Sequence, residues 1–348
     1  MSRVTLKTIA NILGVSIGTA SKALSDYSDI GEETKVRVRE LAKALNYSPN
    51  PFALSLLTNQ TKIIGLIIPN IVHFFFSTVI EGVVHAAQRN GYSIIVMESS
   101  QSVEKEIEYL QDLVRKKVDG ILLALSDKTV NFKPIKAIIS EGTPVVLYDK
   151  ITKSINCSKV IIDDYKAAFM ATEYLINSGC KKIAHISGPL KPQTTIDRLK
   201  GYRKALESYK IPYNKSLVYV SENIEPIEDG YNLTELILKE HSDVDAIFTY
   251  TDIIAAGVLR KLNEREISVP DKISVIGFGN SLSSSITLPT ITTVNQPGYK
   301  MGEKAFMLLH EELQMIKLNK AFTSQIIEIP TKLVLRYSTK SLPSKILG

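Results

Sequence analysis

The sequence predicts a small α-helical head followed by a larger α/β domain with two similar lobes and parallel sheets. Three observations support this prediction. Apolar residues recur at helical spacing over residues 1–47, whereas short β-rich runs alternate with helical patterns from Lys62 onward. Short stretches of the second region then recur in the same order. The length of 348 residues also exceeds one ordinary domain of about 150 residues.

Three short helices are predicted in residues 1–47. Thr5 can cap the first helix, and Gly14 ends it. Ser16 can cap a second helix, and a third spans about residues 32–45. The first two helices and their turn have the lengths of a helix-turn-helix, whose second helix enters the DNA major groove. A helical bundle used for protein contacts is the alternative that the pattern leaves open.

The helix-turn-helix geometry selects candidate DNA contacts. Ile17 and Gly18 offer the bases no side-chain hydrogen-bond donor. Specificity would therefore depend on Ser21, Lys22, apolar contact with a thymine methyl group and DNA shape. The candidates on the first two helices, for bases or phosphates, are Thr5, Ser16, Ile17, Gly18, Thr19, Ser21 and Lys22.

Composition and charge bound the class of protein. The chain has 42 Lys and Arg against 36 Asp and Glu, and this net charge of +6 permits a polyanionic partner without requiring one. Two cysteines, Cys157 and Cys180, cannot form a disulfide framework and fit a reducing compartment. The start of the chain does not resemble a secretory signal, and no apolar run is long enough to span a membrane. A cytoplasmic protein without a metal or other cofactor is predicted.

The region after Lys62 is predicted to alternate strands with helices, as parallel sheets require. The strands are expected at Ile63–Ile68, Tyr92–Met97, Gly120–Leu125, Pro144–Leu147, Val160–Ile162, Lys182–Ile186, Ala246–Tyr250 and Ile273–Phe278. The helices are expected at Phe76–Arg89, Glu104–Lys116, Ala167–Asn177, Arg198–Ser208, Gly230–Lys239, Ala255–Glu264 and Lys300–Leu313.

A weak internal sequence repeat indicates that this region contains two related lobes. Three stretches recur at offsets of 120, 126 and 128 residues, namely 62–65 at 182–185, 118–121 at 244–247, and 144–147 at 272–275. Two open parallel sheets that face each other bring the carboxyl ends of their strands around one cleft, where ligands bind.

Several motifs resemble the lactose-repressor family of bacterial transcription regulators. V-S-I-G-T-A-S-K-A-L at 15–24 resembles the family's V-S-x-x-T-V-S-R-x-L, and L-N-Y-S-P-N at 45–50 resembles its L-N-Y-x-P-N. Residues 179–189, 269–278 and 292–297 match later family motifs, although Cys180 stands where histidine is usual. The resemblance covers about residues 3–337 and makes DNA the expected partner.

The resemblance implies a homodimeric regulator, most often a repressor, that binds a pseudo-palindromic operator. A helix-turn-helix head with a hinge helix (residues 1–60, hinge about 51–58) would precede a periplasmic-binding-protein-like effector domain (61–340). Lobe one would comprise about 62–160 and 292–324, and lobe two about 161–291 and 325–337. The effector would be a sugar or sugar derivative in the cleft. No leucine heptads follow Arg336, which favours a dimer over a tetramer.

By the same resemblance, three hinge-region residues are expected to contact DNA: Asn50, Ala53 and Leu56. Leu56 would wedge into the central minor-groove step, since apolar wedges kink DNA there. Ala53 would let paired hinge helices approach closely. The alternative for Leu56 is a linker leucine that packs on the effector domain.

Four residues match ligand contacts of the family, namely Phe75, Phe76, Arg198 and Gln296. Three more are ligand candidates by their positions at or after strand ends, namely Asp164, Thr251 and Asn280. Arg198 would bind ligand hydroxyl groups and Phe75 or Phe76 a sugar face, with core packing as the alternative for both aromatic residues. Asp252 is expected to cap the next helix, which leaves Thr251 as the better ligand candidate.

One departure bears on the ligand. Gly279 stands where the family usually has an aspartate that grips ligand hydroxyl groups. Loss of this acceptor would favour an acceptor-rich ligand such as a sugar acid or a phosphorylated sugar. Equally, Asn280 or Asp164 could replace the aspartate for a neutral sugar.

Enzyme chemistry finds no support in the motifs. The chain has no Walker A, HExxH or G-x-S-x-G motif, and its five histidines lack ligand spacing. An α/β enzyme and a secreted sugar-binding protein are the competing classes, and the second conflicts with the helix-turn-helix.

Overall fold

A computed structural model describes residues 4–47, 60–222 and 225–342. The chain divides into two compact units, Met1–Lys62 and Ile63–Gly348. The predicted hinge helix and its DNA-contact candidates, Asn50, Ala53 and Leu56, lie outside the described residues.

The described part of the first unit contains three helices, Leu6–Leu13 (α1), Ile17–Leu24 (α2) and Glu32–Ala44 (α3). Gly14 ends α1 in the left-handed region at φ 66°, where glycine carries no Cβ penalty. The small hydrophobic core of this unit includes one fully buried residue from each helix, namely Ile9, Ala23 and Val38. The helix-turn-helix lengths predicted from the sequence are therefore confirmed.

The second unit contains two six-stranded sheets. The first has the order β11-β5-β4-β3-β1-β2, with strands Ile63–Ile68 (β1), Ser93–Glu98 (β2), Gly120–Leu123 (β3), Val145–Tyr148 (β4), Lys159–Ile162 (β5) and Ile326–Ile329 (β11). The second has the order β12-β10-β9-β8-β6-β7, with strands Ile183–Ser187 (β6), Val218–Val220 (β7), Ala246–Thr249 (β8), Ser274–Gly279 (β9), Thr292–Asn295 (β10) and Lys332–Val334 (β12).

The two sheets share one topology, as the internal sequence repeat predicts. Each repeated stretch corresponds to a pair of strands at equivalent positions in the two sheets: β1 and β6, β3 and β8, and β4 and β9. One difference breaks the match, because β11 pairs parallel to β5 whereas β12 pairs antiparallel to β10.

Helices cover the sheets and lie mostly where the sequence predicts them. They are Phe74–Arg89 (α4), Val103–Arg115 (α5), Lys133–Ser140 (α6), Asp164–Asn177 (α7), Gln193–Ser208 (α8), Pro226–Glu240 (α9), Asp252–Glu264 (α10), Leu282–Ile286 (α11) and Gly298–Lys317 (α12). The sequence prediction missed α6 and α11, which have eight and five residues and so show few helical repeats.

The predicted lobe boundaries need correction at two strands. Residues 292–295 were expected in lobe one, yet β10 pairs with β9 of the second sheet. Residues 326–329 were expected in lobe two, yet β11 pairs with β5 of the first sheet. Backbone hydrogen bonds decide membership, so the chain crosses between lobes near residues 163, 296 and 330. The described residues therefore cross between the lobes three times.

Candidate DNA-binding face and interlobe cleft

Helix α2 presents a polar and an apolar side. Ala20 and Ala23 are buried against the other helices, whereas Ile17 is 48% exposed. Gly18 and Lys22 are also exposed, and Ser21 is half-buried. This arrangement leaves the predicted base-contacting residues available to a groove.

The hydroxyl groups predicted to hold phosphates also cap the helices. The Ser16 hydroxyl accepts a hydrogen bond from the Thr19 backbone N–H at 2.9 Å, and the two hydroxyl oxygens lie 2.8 Å apart. The Thr5 side chain accepts from the Thr8 N–H in a capping box. These exposed side chains therefore order the helix starts at which phosphates commonly bind.

Aspartates on the turn after α2 pair with cations of the head. Lys22 Nζ lies 2.5 Å from a carboxylate oxygen of Asp29, and this pairing raises the pKa of Lys22. Asp26 pairs with both Lys35 and Arg39, at 3.1 and 2.6 Å. Lys22 must exchange its carboxylate partner to reach a base edge.

A polar cavity of about 70 Å³ lies between the two lobes. Its walls come from segments that follow the carboxyl ends of strands, as expected for facing parallel sheets. Five of the seven predicted ligand residues line it, namely Phe75, Phe76, Arg198, Thr251 and Gln296. The structure thus brings together residues that are up to 221 positions apart in the chain.

Arg198 is held rigidly in the wall of this polar cavity. Its Nε donates to Asp164 Oδ1 at 2.7 Å, and its Nη1 donates to the Tyr250 carbonyl oxygen at 2.9 Å. The guanidinium carbon lies 3.5 Å from the ring centroid of Phe278, a cation–π contact. The side chain is therefore preorganised, with the fork fixed before a ligand arrives.

Asp164 acts through Arg198 in this structure. It is the first residue of α7, and burial raises its pKa to about 7 although the charge of Arg198 opposes the shift. Asp164 does not line the polar cavity. Its carboxylate instead forms an ion pair with Arg198, which does line the polar cavity.

Lobe one contributes charges that the sequence prediction did not include. Asp149 and Lys150 follow β4 and line the polar cavity. Lys150 forms an ion pair with Asp127, and Asp149 Oδ1 accepts a hydrogen bond from Gln296 Nε2 at 2.6 Å. This last bond joins lobe one to the crossover after β10. The position directly after a buried strand was the signal that could have identified Asp149.

Two polar atoms at the cavity wall have no partner. Thr194 is 4% exposed, and neither its Oγ1 nor the Nδ1 of His73 has a hydrogen-bond partner among the described residues. Burial lowers the pKa of His73 to about 4, aided by the charges of Lys150 and Arg198, so its ring is neutral at pH 7. Because buried polar groups normally find partners, these two atoms are candidates for ligand hydrogen bonds.

The aromatic pair serves both the core and the cleft. Phe75 and Phe76 are 5% and 4% exposed, and their ring centroids lie 5.1 Å apart in an edge-on arrangement. Both belong to the main hydrophobic core and both line the polar cavity. The two interpretations of these residues are therefore compatible.

The segments after β8 and β9 depart from the sequence expectations. Thr251, not Asp252, caps α10, since its hydroxyl accepts the Ile254 N–H at 3.4 Å. Asn280 donates to Asn295 at 2.9 Å and accepts from Arg336 at 2.8 Å. Asn280 does not line the polar cavity, so the structure does not bring it together with the other candidate residues there.

Fold and site together define a class, in which a helix-turn-helix head is joined to a two-lobed binding domain. The chain belongs to the lacI family of bacterial regulatory proteins. The lacI family model matches residues 5–50, and the periplasmic binding protein domain model matches residues 64–317. The predicted family and fold are confirmed, and with them a regulator in place of an enzyme.

Relatives and solved structures agree over nearly the whole chain. The HTH-type transcriptional repressor PurR of Histophilus somni (strain 2336) is 33% identical over 338 residues, which cover 97% of this chain and 99% of that protein. A LacI family transcriptional regulator from Enterococcus faecium with bound ribose is 26% identical, with a TM-score of 0.71 over 81% of this chain and 100% of that one. The lac repressor dimer bound to operator and the anti-inducer ONPF shares the fold, with a TM-score of 0.84 and 24% identity over 98% and 100% of the chains.

Two further observations concern the described residues alone. None of their helices is long and apolar enough to cross a membrane. Their His, Cys, Asp and Glu side chains form no group of three or more that could hold a metal ion.

Proposed function

We propose that this protein is a transcriptional repressor that binds a pseudo-palindromic operator as a homodimer and is controlled by a neutral sugar in the interlobe cleft. The observation that carries the proposal is the polar cavity between the lobes, in which Arg198 is preorganised and Thr194 and His73 lack partners. The exposed face of α2 supports the DNA-binding half of the proposal.

The charges around the cleft favour a neutral ligand over an acidic one. Three carboxyl groups, of Asp127, Asp149 and Asp164, accompany two cations, Lys150 and Arg198. Both cations already have carboxylate partners, so an anionic ligand would have to compete with buried aspartates. The regulator of known structure with bound ribose supports a sugar, whose hydroxyl groups both donate and accept.

Ligand control follows from contacts that depend on both lobes. Asp149 and Lys150 belong to lobe one, and Arg198 and Thr251 belong to lobe two. A ligand that bridges them binds the closed lobes more tightly than open lobes, and only this difference in affinity can shift the equilibrium. A change of lobe closure would alter how the heads meet the two half-sites.

Arg198→Ala tests the proposal directly. Operator binding is measured by gel shift with and without each sugar of a panel first selected by thermal shift, since a ligand of the folded state raises Tm. We expect Arg198→Ala to lose the ligand response while ligand-free operator affinity stays within about threefold of the unmodified protein.

Arg203→Ala is the matched control. Arg203 lies on the same helix, α8, but is exposed and pairs with Glu207 at 2.8 Å. It should keep the full ligand response. Loss of response in both variants, or in neither, would count against Arg198 as the ligand contact, and a panel of sugars without any effect on Tm would count against a sugar effector.

A further inference from the structure

A second cavity continues from the polar one and has a different character. Its volume is about 160 Å³, and it shares His73, Phe75 and Thr251 with the polar cavity. Its remaining apolar walls come from both lobes, with Val72 and Phe74 after β1 and Ile253, Phe278 and Leu282 from lobe two. We call it the apolar compartment.

Apart from His73, which both cavities share, the polar side chains beside the apolar compartment already have hydrogen-bond partners. Asp252 accepts from the Ser281 N–H at 2.6 Å and from the Thr293 hydroxyl at 2.5 Å. The hydroxyl groups of Ser281 and Ser283 bond to each other at 2.7 Å. An occupant would therefore gain little from hydrogen bonds here and would gain mainly by burying apolar surface.

The polar cavity has the opposite character. Thr194 Oγ1 and His73 Nδ1 have no partner there, and the carboxyl group of Asp149 faces the same space. The two adjoining spaces thus call for different chemistry, hydrogen bonds in one and apolar contact in the other.

Gly279 helps to form the apolar compartment. It lines this space at a φ of 121°, a conformation that side-chain-bearing residues rarely adopt. A Cβ added there would lie 3.6 Å from Asp252 Oδ2. An aspartate at this position would be strained and would set a second carboxyl group beside a buried one, so the glycine leaves an apolar wall where the family usually has a polar one.

We infer that the effector has two parts, a sugar ring that occupies the polar cavity and an apolar, ring-sized substituent that occupies the apolar compartment. This inference rests on the proposed function and specifies its ligand class. A bare sugar occupies only the polar cavity, whereas the substituent packs against Phe75 and Phe278 and covers the side chain of Leu282, which is 61% exposed.

Matched pairs of sugars test the inference by calorimetry on the full chain. The pairs are glucose with phenyl β-glucoside, galactose with phenyl β-galactoside, and ribose with phenyl β-riboside. For at least one pair we expect the substituted sugar to bind about tenfold tighter or more, which corresponds to about 1.4 kcal/mol.

Variants of the lining residues test which cavity provides the higher affinity of the substituted sugar. Leu282→Ser should remove at least about threefold of the advantage without changing the affinity for the bare sugar. Ile286→Ser is the control, because Ile286 lies on the same short helix, is 68% exposed and does not line the compartment. Thr194→Val should weaken both members of a pair alike, since its hydroxyl lies in the polar cavity.

The outcomes separate the inference from the proposed function. Bare sugars that bind as tightly as their substituted partners, or a Leu282→Ser variant that keeps the whole advantage, would overturn the two-part ligand and leave a sugar effector standing. If no member of any pair binds, both the inference and the sugar effector are wrong.

Discussion

His185 shows how one buried side chain links the sequence to stability. The ring lies between Tyr202 and Phe248, at centroid distances of 5.1 and 4.8 Å, and its Nδ1 donates to the Phe248 carbonyl oxygen at 3.0 Å. Its Nε2 has no partner, and burial lowers the pKa of His185 to about 4. Between about pH 4 and 6.5, the folded protein therefore keeps this histidine neutral, whereas the unfolded chain, in which its pKa is about 6.5, binds a proton there.

His185→Asn should change the pH dependence of stability. Between pH 6.5 and 4 the unfolded chain binds the extra proton, so the stabilising contribution of a neutral His185 is present above pH 6.5 and is lost as pH falls. We expect the free energy of unfolding of the unmodified protein, relative to that of His185→Asn, to fall by up to about 1.4 kcal/mol per pH unit in this window. Denaturant unfolding at several pH values measures the difference.

The comparison with the variant is necessary because other groups titrate nearby. Burial raises the pKa of Asp164 to about 7, so its contribution to stability falls as pH rises from about 4 to 7, the opposite direction. Asn keeps a donor near the position of Nδ1 without a titrating ring. A difference that stays constant across the window would contradict a neutral His185.

At the scale of elements, glycines let three helix pairs pack closely. An added Cβ would meet a backbone carbonyl oxygen of the facing helix in each pair: at 2.1 Å for Gly82 in α4 against α12, 2.2 Å for Gly201 in α8 against α7, and 2.0 Å for Gly257 in α10 against α9. Backbone cannot yield as a flexible side chain can, so these positions exclude other residues.

Gly257→Ala should destabilise the second unit although alanine is the better helix former. Relief of the 2.0 Å contact requires α9 and α10 to separate, and we expect a loss of about 1–3 kcal/mol in the free energy of unfolding. Gly18→Ala is the control, since its nearest neighbour would lie at 3.6 Å. That variant should stabilise the head by up to about 1 kcal/mol in thermal unfolding. An unchanged or raised stability of Gly257→Ala would contradict the close packing.

The predicted hinge element can be tested although Leu56 lies outside the described residues. If Leu56 wedges into the minor groove, Leu56→Ala should weaken operator binding by about tenfold or more. Non-specific DNA affinity and its salt dependence should stay nearly unchanged, because phosphate contacts dominate them. Fluorescence anisotropy at several salt concentrations measures both, and equal losses on the two DNAs would argue against a wedge.

For the whole molecule, we expect a homodimer in solution at micromolar concentration. A pseudo-palindromic operator presents two half-sites related by two-fold symmetry, and two identical heads meet them only if the subunits share that symmetry. Light scattering, with and without operator DNA, measures the mass. A monomer or a tetramer under these conditions would contradict the prediction.

Local pattern was sufficient for much of the fold. The helical spacing and Gly14 predicted the three-helix head. The repeated sequence stretches predicted that β1 is equivalent to β6, β3 to β8, and β4 to β9. These features depend on periodicity within short segments, which the order of residues carries directly. The family motifs added the cleft residues Arg198 and Gln296, both of which line the polar cavity.

Only the tertiary structure decided which residues meet across the chain. β11 joins the first sheet through hydrogen bonds to β5, about 167 residues earlier, and neither strand records its partner in its own sequence. Arg198 is oriented by Asp164 and Phe278, and Asn280 is engaged by Arg336. The physical reason is that burial, carboxylate pairing and sheet hydrogen bonds arise between segments, so they depend on how distant segments pack rather than on the residues beside them.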